Sequence, residues 1–449
     1  MLRRDFLPIL AGAGLSLPAP AQTTARPNFI VICTDDQGIG DVGCYGGPEA
    51  KTPHLDRLAA SGVRFTNWHA NSPVCSPSRA SLLTGKYPQN AGIPQILFSH
   101  PEFNVAGLKK GEKTLASELK KLGYRTAAIG KWHLGSKPES GPLAQGFDEW
   151  FGFYSGWIDY YSHRYYTLGG QPVFHDLWRN EQEVFEEPAY QTEMLAREAK
   201  NFLSRQSSTR PFFLYLAFGA PHYPMMAPKK YLDRFPASMD RDRRMHLAMV
   251  SAIDDAIGDL VQQLQSRGWH QNTVIFFQSD NGATREERAD HRGRPYQGGS
   301  NLHYRGYKGS LFEGGIRVPG ILSWPAKIKP KQTSDATLLA MDILPTFLKW
   351  AGATPPEDVD GVDISPVVFE GKASVHEDVF WEYDGQRAIR NGPWKLMEGY
   401  REGLGLKLQP GFWLSNLEED PSEKKDYALQ RPEVARELLA RLRKHRWKS

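Results

Sequence analysis

Apolar residues along this chain fall alternately into short unbroken runs and into longer stretches with helical spacing. Asn28 to Thr34 (Asn-Phe-Ile-Val-Ile-Cys-Thr) is a nearly continuous apolar run, the pattern of a strand buried on both faces of a parallel sheet. Tyr124–Ile129, Pro211–Phe218, Thr273–Gln278 and Val318–Trp324 read the same way. Between them the spacing changes. Thr52-Pro53 opens a helix through Leu55, Leu58 and Ala59 that Gly62 closes. Thr114–Leu122 places Leu115, Leu119 and Leu122 on one face. Asp240–Arg267 is a long amphipathic helix with Met245, Met249, Ile253, Ile257, Leu260 and Leu264 at helical intervals. Strands alternating with helices predict an α/β domain, a mostly parallel sheet with helices on both faces. Around Thr354-Pro355-Pro356 the pattern breaks. Ala388-Ile389-Arg390, Trp394-Lys395-Leu396, Trp413-Leu414 and a helix from Pro432 to His445 predict a small antiparallel sheet with one helix. The expected division is an export segment 1–21, a main domain 22–353 and a C-terminal subdomain 354–449.

Polar residues that can do chemistry stand directly after the predicted strands. Asp35-Asp36 follow the first, Lys131 and His133 the strand ending at Ile129, His222 the strand ending at Phe218, and Asp280-Asn281 the strand ending at Gln278. In open α/β sheets the ligand site lies at the carboxyl ends of the strands, so these residues should converge. Each acidic pair alone reads as a turn, in Asp-Asp-Gln-Gly and Ser-Asp-Asn-Gly. Brought together they offer only oxygen donors and would repel one another unless a cation lay between them. Such a set suits Ca²⁺ or Mg²⁺ rather than zinc.

Composition narrows the class modestly. The 449 residues carry a net charge of +4 and 12% aromatics, ordinary for a globular enzyme. No dense Lys/Arg block argues for nucleic acid. Arg441 to Lys448 reads as a solvated basic helix end. Cys33, Cys44 and Cys75 are too few for a disulfide framework. Cys33, inside an apolar run, reads as a small core residue; Cys44 suggests no role. The amino end has Arg3-Arg4, an apolar stretch from Phe6 to Leu17 and an Ala19-Pro20-Ala21 cleavage pattern. That is an export signal, with a twin-arginine flavour, and too short to span a bilayer. Localisation is therefore expected to be periplasmic or extracellular, without stable membrane insertion.

Cys75-Ser76-Pro77-Ser78-Arg79, followed by Ala80-Ser81-Leu82-Leu83-Thr84-Gly85-Lys86, carries the most information. Ser76 reads as an N-cap with Pro77 in the first helical turn, and Gly85 ends the helix. A helix start at this point aims backbone N–H groups and a positive dipole end toward residue 75, which favours an anion there.

The same segment resembles the activation signature of type I sulfatases of the alkaline-phosphatase-like fold. Thr34-Asp35-Asp36-Gln37-Gly38, Gly130-Lys131-Trp132-His133-Leu134-Gly135, Ala220-Pro221-His222, Ser279-Asp280-Asn281-Gly282, Lys308-Gly309 and Glu313-Gly314-Gly315 match that family in order. Ser81, where the family usually has alanine, is the visible departure. The resemblance implies that a formylglycine-generating maturation enzyme oxidises Cys75 to an aldehyde whose hydrate attacks the sulfur of a sulfate ester. It implies that Asp35, Asp36, Asp280, Asn281 and residue 75 bind the metal, with Ca²⁺ preferred. Arg79 would hold the aldehyde hydrate, and Lys131 and Lys308 would grip sulfate oxygens. His133 would take the proton from the second hydroxyl, while His222, with Lys308, would bind sulfate and help protonate the leaving alcohol.

The aromatics from Trp150 to Tyr166 suit either a sugar-binding wall or core packing. Asp159-Tyr160-Tyr161-Ser162-His163 looks like a segment of arylsulfatase B-type enzymes, which act on N-acetylgalactosamine 4-sulfate. The loop from Arg285 to Arg305 could meet an acidic polysaccharide or lie solvated at the surface. A sulfated glycan is the expected substrate. The rival readings are a phosphatase or phosphodiesterase of the same fold, which would place Ser or Thr at position 75, and an inactive glycan-binding homologue.

Overall fold

The first apolar run is buried on both sides because it forms the middle of a wide sheet. The computed structural model describes residues 26–98, 105–165, 174–287 and 294–448; the segment 1–21, expected to direct export, lies outside them. The strands, in chain order, are β1 (Asn28–Thr34), β2 (Val63–Phe65), β3 (Trp68–His69), β4 (Arg125–Lys131), β5 (Glu149–Phe153), β6 (Trp178–Arg179), β7 (Gln182–Glu183) and β8 (Phe212–Ala217). They continue with β9 (Thr273–Ser279), β10 (Gly320–Ser323), β11 (Gln332–Ser334), β12 (Leu338–Leu339), β13 (Asp378–Tyr383), β14 (Gln386–Asn391), β15 (Trp394–Tyr400) and β16 (Gln409–Asn416).

Ten of them form one mixed sheet in the order β11-β2-β10-β9-β1-β8-β4-β5-β6-β7. The central run β9-β1-β8-β4-β5 is parallel throughout. Its carboxyl ends therefore share one edge. β10, expected simply as a further strand, runs antiparallel to both its neighbours.

Alternate side chains of β1 enter opposite cores. Phe29, Val31 and Cys33 pack with the helices Cys75–Thr84, Leu115–Lys121 and Ile343–Trp350. Ile30 and Ile32 pack with Gln191–Ser204 and Arg241–Ser266. Asp240 caps the long helix, accepting hydrogen bonds from the backbone N–H groups of Asp242 and Arg243. At Gly130 φ is 107° and a Cβ would meet the Ala217 carbonyl at 1.8 Å, so only glycine lets β4 lie this close to β8 just before Lys131.

The predicted C-terminal sheet is present as β13-β14-β15-β16, antiparallel throughout. One face holds Ile389, Leu396 and Leu414 against Leu438 and Leu442 of the helix Pro432–Lys444. The other packs Trp381, Ala388 and Met397 onto Leu311, Phe312 and Met341.

A buried ionic network stitches this sheet to the large one. Lys395 Nζ lies 2.8 Å from Glu313 Oε1 and 2.9 Å from Glu423 Oε1, with all three side chains fully buried. His69 Nε2 donates to Glu313 Oε2 at 3.0 Å. Burial holds the His69 imidazole down to about 4, against the pull of Glu313, where the ordinary value is 6.5. Between these values the unfolded chain binds more protons than the folded one, so stability rises with pH across that window. Acidifying from pH 6.5 to 4 should cost roughly 3 kcal/mol through this residue. Urea midpoints at the two pH values should fall less in His69→Gln than in the parent; equal falls would show that His69 is not held neutral.

Candidate active site

The carboxyl edge of the parallel strands gathers the predicted residues. β1 delivers Asp35 and Asp36, β9 delivers Asp280 and Asn281, and all four are fully buried. Lys131 is the last residue of β4, two positions beyond the expected strand end, and His133 follows it. His222 sits in the loop after β8, and Lys308 arrives from the segment before the short helix Glu313–Ile316. Asp36 and His133 adopt positive φ, 61° and 57°. Such conformations are uncommon for residues with a side chain and gather at functional sites.

The helix bearing Cys75 starts two residues earlier than the sequence suggests. It spans Cys75–Thr84 with Val74 at the N-cap position, so Ser76 is not the cap. The Ser76 hydroxyl instead accepts a hydrogen bond from the Leu97 backbone N–H at 3.1 Å. Gly85 ends the helix in the left-handed conformation, as expected. Cys75 thus stands in the first turn, among unpaired N–H groups. Arg79 comes one helical turn later on the same face. Its Nη2 lies 2.7 Å from Asp280 Oδ2 and 3.7 Å from Asp35 Oδ1. Cys75 Sγ lies 3.5 Å from Asp35 Oδ1.

The cations interleave with the carboxylates. Lys131 Nζ contacts Asp35 Oδ2 at 2.5 Å, and Lys308 Nζ contacts Asp36 Oδ2 at 2.9 Å. Lys308 Nζ also lies 3.1 Å from His222 Nε2. His222 Nδ1 is 2.7 Å from the Tyr223 carbonyl, which can only accept, so Nδ1 carries the proton. Nε2 then accepts from the lysine. His133 is fixed the other way round. Its Nε2 donates to the Leu97 carbonyl at 2.7 Å, and Nδ1 is buried with no hydrogen-bond partner. Burial, then the charge of Lys131, keeps His133 well below the usual imidazole range, so Nδ1 offers a free lone pair at neutral pH.

Burial raises Asp35, to about 7, and raises Asp36, in both cases against the pull of the lysines. Asp280 is lowered: burial pushes it up, but Arg79, Lys131 and Lys308 outweigh that. Crowded, buried carboxylates of this kind are relieved by a cation. Asn281 donates from Nδ2 to Asp36 Oδ1 at 2.8 Å, and its Oδ1 is buried without a partner. An orphaned acceptor beside three carboxylates fits a hard, oxygen-seeking cation. Ligand atoms of Asp35, Asp36, Cys75 and His222 lie within 4.8 Å of one another. His222 belongs to that group by distance alone, since its Nε2 is taken up by Lys308. For Cys75, burial pushes the thiol far above its ordinary range despite Lys131 and Lys308.

The sequence reading did not foresee two contacts at the site. Glu286 Oε2 lies 3.4 Å from Lys308 Nζ; its loop, Arg285–Arg305, drew notice for its basic residues and not for this carboxylate. Trp157 stacks on His222 with ring centroids 5.7 Å apart and planes at 15°. Its segment stood out for aromatics, but Trp150, Phe151, Phe153 and Tyr160 of that segment are core; Tyr166 lies outside the described residues. In the Arg285–Arg305 loop, residues 288–293 lie outside them too. Arg294 pairs with Asp242, and Arg305 pairs with Glu402 and stacks on Trp413.

A mixed sheet whose carboxyl edge presents clustered carboxylates, lysines and a cysteine on a helix N-terminus defines a hydrolase of anionic esters. The comparisons with known proteins specify it further. The family model described as Sulfatase matches residues 27–353, and that described as N-sulphoglucosamine sulphohydrolase, C-terminal, matches 306–448. Arylsulfatase J of Mus musculus is 33% identical over 93% of this chain and 75% of its own length. The N-acetylgalactosamine-6-sulfatase of Homo sapiens is 36% identical over 84% of this chain and 74% of its own. The crystal structure of Ps i-CgsB in complex with k-i-k-neocarrahexaose superposes with a TM-score of 0.82 at 32% identity, covering 93% of this chain and 92% of that one. The chain belongs to the sulfatase family and is a sulfuric ester hydrolase. Among the described residues no helix is long and apolar enough to cross a membrane.

Proposed function

We propose that the protein releases sulfate from a sulfated carbohydrate, using residue 75 as formylglycine and a divalent cation. The observation that carries the reading is the position of Cys75, buried in the first turn of a helix 3.5 Å from Asp35 Oδ1 and one turn before Arg79. Formylglycine at this position would supply a hydrate with one hydroxyl to attack sulfur and a second to drive sulfate out. Asp35, Asp36, Asp280 and Asn281 would hold the cation, Ca²⁺ by preference, beside residue 75. When bound it would supply a Lewis acid for the sulfate oxygens and the attacking hydroxyl.

The chain's own groups take the remaining roles. Arg79, one turn along the helix, orients residue 75 while neutralising Asp280. Lys131 and Lys308 bind sulfate oxygens as point charges. Their charge and that of Arg79 match the three carboxylates, so a divalent cation leaves positive charge over for the anion. His133 Nδ1 accepts the proton of the second hydroxyl. Lys308 Nζ would protonate the leaving oxygen, with His222 Nε2 holding it in place through their 3.1 Å hydrogen bond. Trp157 supplies an aromatic wall suited to a sugar ring. The carbohydrate named in the human relative and the hexaose in the Ps i-CgsB complex support a glycan substrate. We place the catalytic unit at 22–353, with the subdomain 354–449 closing its side, and read residues 1–21 as directing export.

The test is sulfate release from defined sulfated sugars, using protein co-produced with a formylglycine-generating enzyme. Chelation should abolish release and Ca²⁺ restore it. A peptide map reads the aldehyde at residue 75 and a mature start near Gln22 together. Full turnover after verified metal removal, or with an unmodified Cys75, would overturn the mechanism. An intact Met1 in exported protein would overturn the export reading.

A further inference from the structure

Away from the catalytic centre, the chain between Asp159 and Tyr190 doubles back on itself. Arg164 and His175 form an antiparallel bridge, and the Asp176 N–H donates to the His163 carbonyl at 3.0 Å. This brings two histidines together, 0% and 9% exposed. His163 Nε2 lies 2.9 Å from the Ala189 carbonyl, which only accepts, so Nε2 carries the proton and Nδ1 a lone pair. His175 Nδ1 lies 2.9 Å from Glu183 Oε1, so here Nδ1 carries the proton and Nε2 the lone pair. Neither lone-pair nitrogen has a hydrogen-bond partner. Glu187 closes the third side, with Oε1 3.7 Å from His175 Nε2. These three ligand atoms lie within 4.8 Å of one another.

Two buried acceptors and a carboxylate converging on one point repel unless something positive lies between them. Each imidazole has its other N–H anchored, one on a carbonyl and one on a carboxylate. Such outer anchors fix the tautomer and orientation of metal-binding histidines. We propose that His163 Nδ1, His175 Nε2 and the Glu187 carboxylate bind one transition-metal dication of the zinc class, at a site separate from the catalytic centre. Two nitrogens and one oxygen suit Zn²⁺, unlike the oxygen-only set at Asp35, Asp36, Asp280 and Asn281. Zinc bonds of about 2.0–2.2 Å require the three donors to draw together. Glu187, whose side chain is 30% exposed, has the freedom to close on the two fixed rings. Three protein ligands leave a fourth position for water. The ion would clip the segment that begins just after Trp157, the residue stacked on His222.

The site is tested on the full-length, chelator-stripped protein by titrating Zn²⁺ alone with calorimetry and counting bound metal by mass spectrometry. The parent should bind one more Zn²⁺ per chain than His175→Ala, a difference that is independent of any ion taken by the catalytic carboxylates. Glu183→Ala, which removes only the anchor on His175, should weaken that ion by about 10–100-fold. Because Glu183 lies at the surface, this variant keeps the test open if His175→Ala does not fold. Equal Zn²⁺ stoichiometry and affinity in the parent and the variants would overturn the proposal. So would a folded parent that binds no Zn²⁺ beyond the catalytic site.

Discussion

Replacing Cys75 by serine should abolish sulfate ester hydrolysis, lowering kcat/KM by about 10³-fold or more, at least about 4 kcal/mol of transition-state stabilisation. Serine nearly preserves the volume of the buried thiol and is tolerated in the first turn of a helix, so the fold should survive. The chemistry should not. A serine hydroxyl carries no second oxygen on its carbon. An ester formed on it would have to wait for water to attack the sulfur, whereas an aldehyde hydrate expels sulfate by collapsing to the carbonyl. The assay is sulfate release by parent and variant, both confirmed folded by circular dichroism and both offered a phosphate ester beside the sulfate ester. A variant with near-normal sulfatase rates would overturn the formylglycine scheme. A parent that prefers the phosphate ester would favour the phosphatase reading instead.

The second large effect concerns stability. Lys395→Met should lower folding stability by about 3–5 kcal/mol, because it leaves the buried Glu313 and Glu423 carboxylates facing each other without their shared cation. Lys395 sits on β15 and Glu313 opens the short helix Glu313–Ile316 ahead of β10, so the loss should loosen the docking of the C-terminal sheet. The urea midpoint of the variant reads the effect. Adding Glu423→Gln to Lys395→Met should recover part of the loss by removing one of the two facing carboxylates, since Glu313 keeps Arg317 at 3.3 Å. A midpoint unchanged in Lys395→Met would show that the pair is not desolvated as the burial indicates.

The amino-acid order by itself determined the frame. A strand buried on both faces must be apolar at every position, and Phe29 to Cys33 show it; a helix with one buried face repeats its apolar residues, as Ile253, Ile257, Leu260 and Leu264 do. Chemistry at strand ends was legible because a parallel sheet puts all its carboxyl ends on one edge. Asp35, Asp36, Lys131, His133, His222, Asp280 and Asn281 therefore met as expected, around Cys75. Local signals failed where a distant segment claimed the group they relied on. Ser76 is a good cap in isolation, yet the helix takes Val74 as its boundary and uses the serine hydroxyl to anchor Leu97. What only the tertiary structure decided are the pairings between distant segments. The direction of β10, the three-way contact of Lys395 with Glu313 and Glu423, the stacking of Trp157 on His222 and the facing lone pairs of His163 and His175 leave no periodic trace. Each depends on which loops the fold brings side by side, and a buried charge or imidazole acquires its partner and its protonation only after that packing is complete.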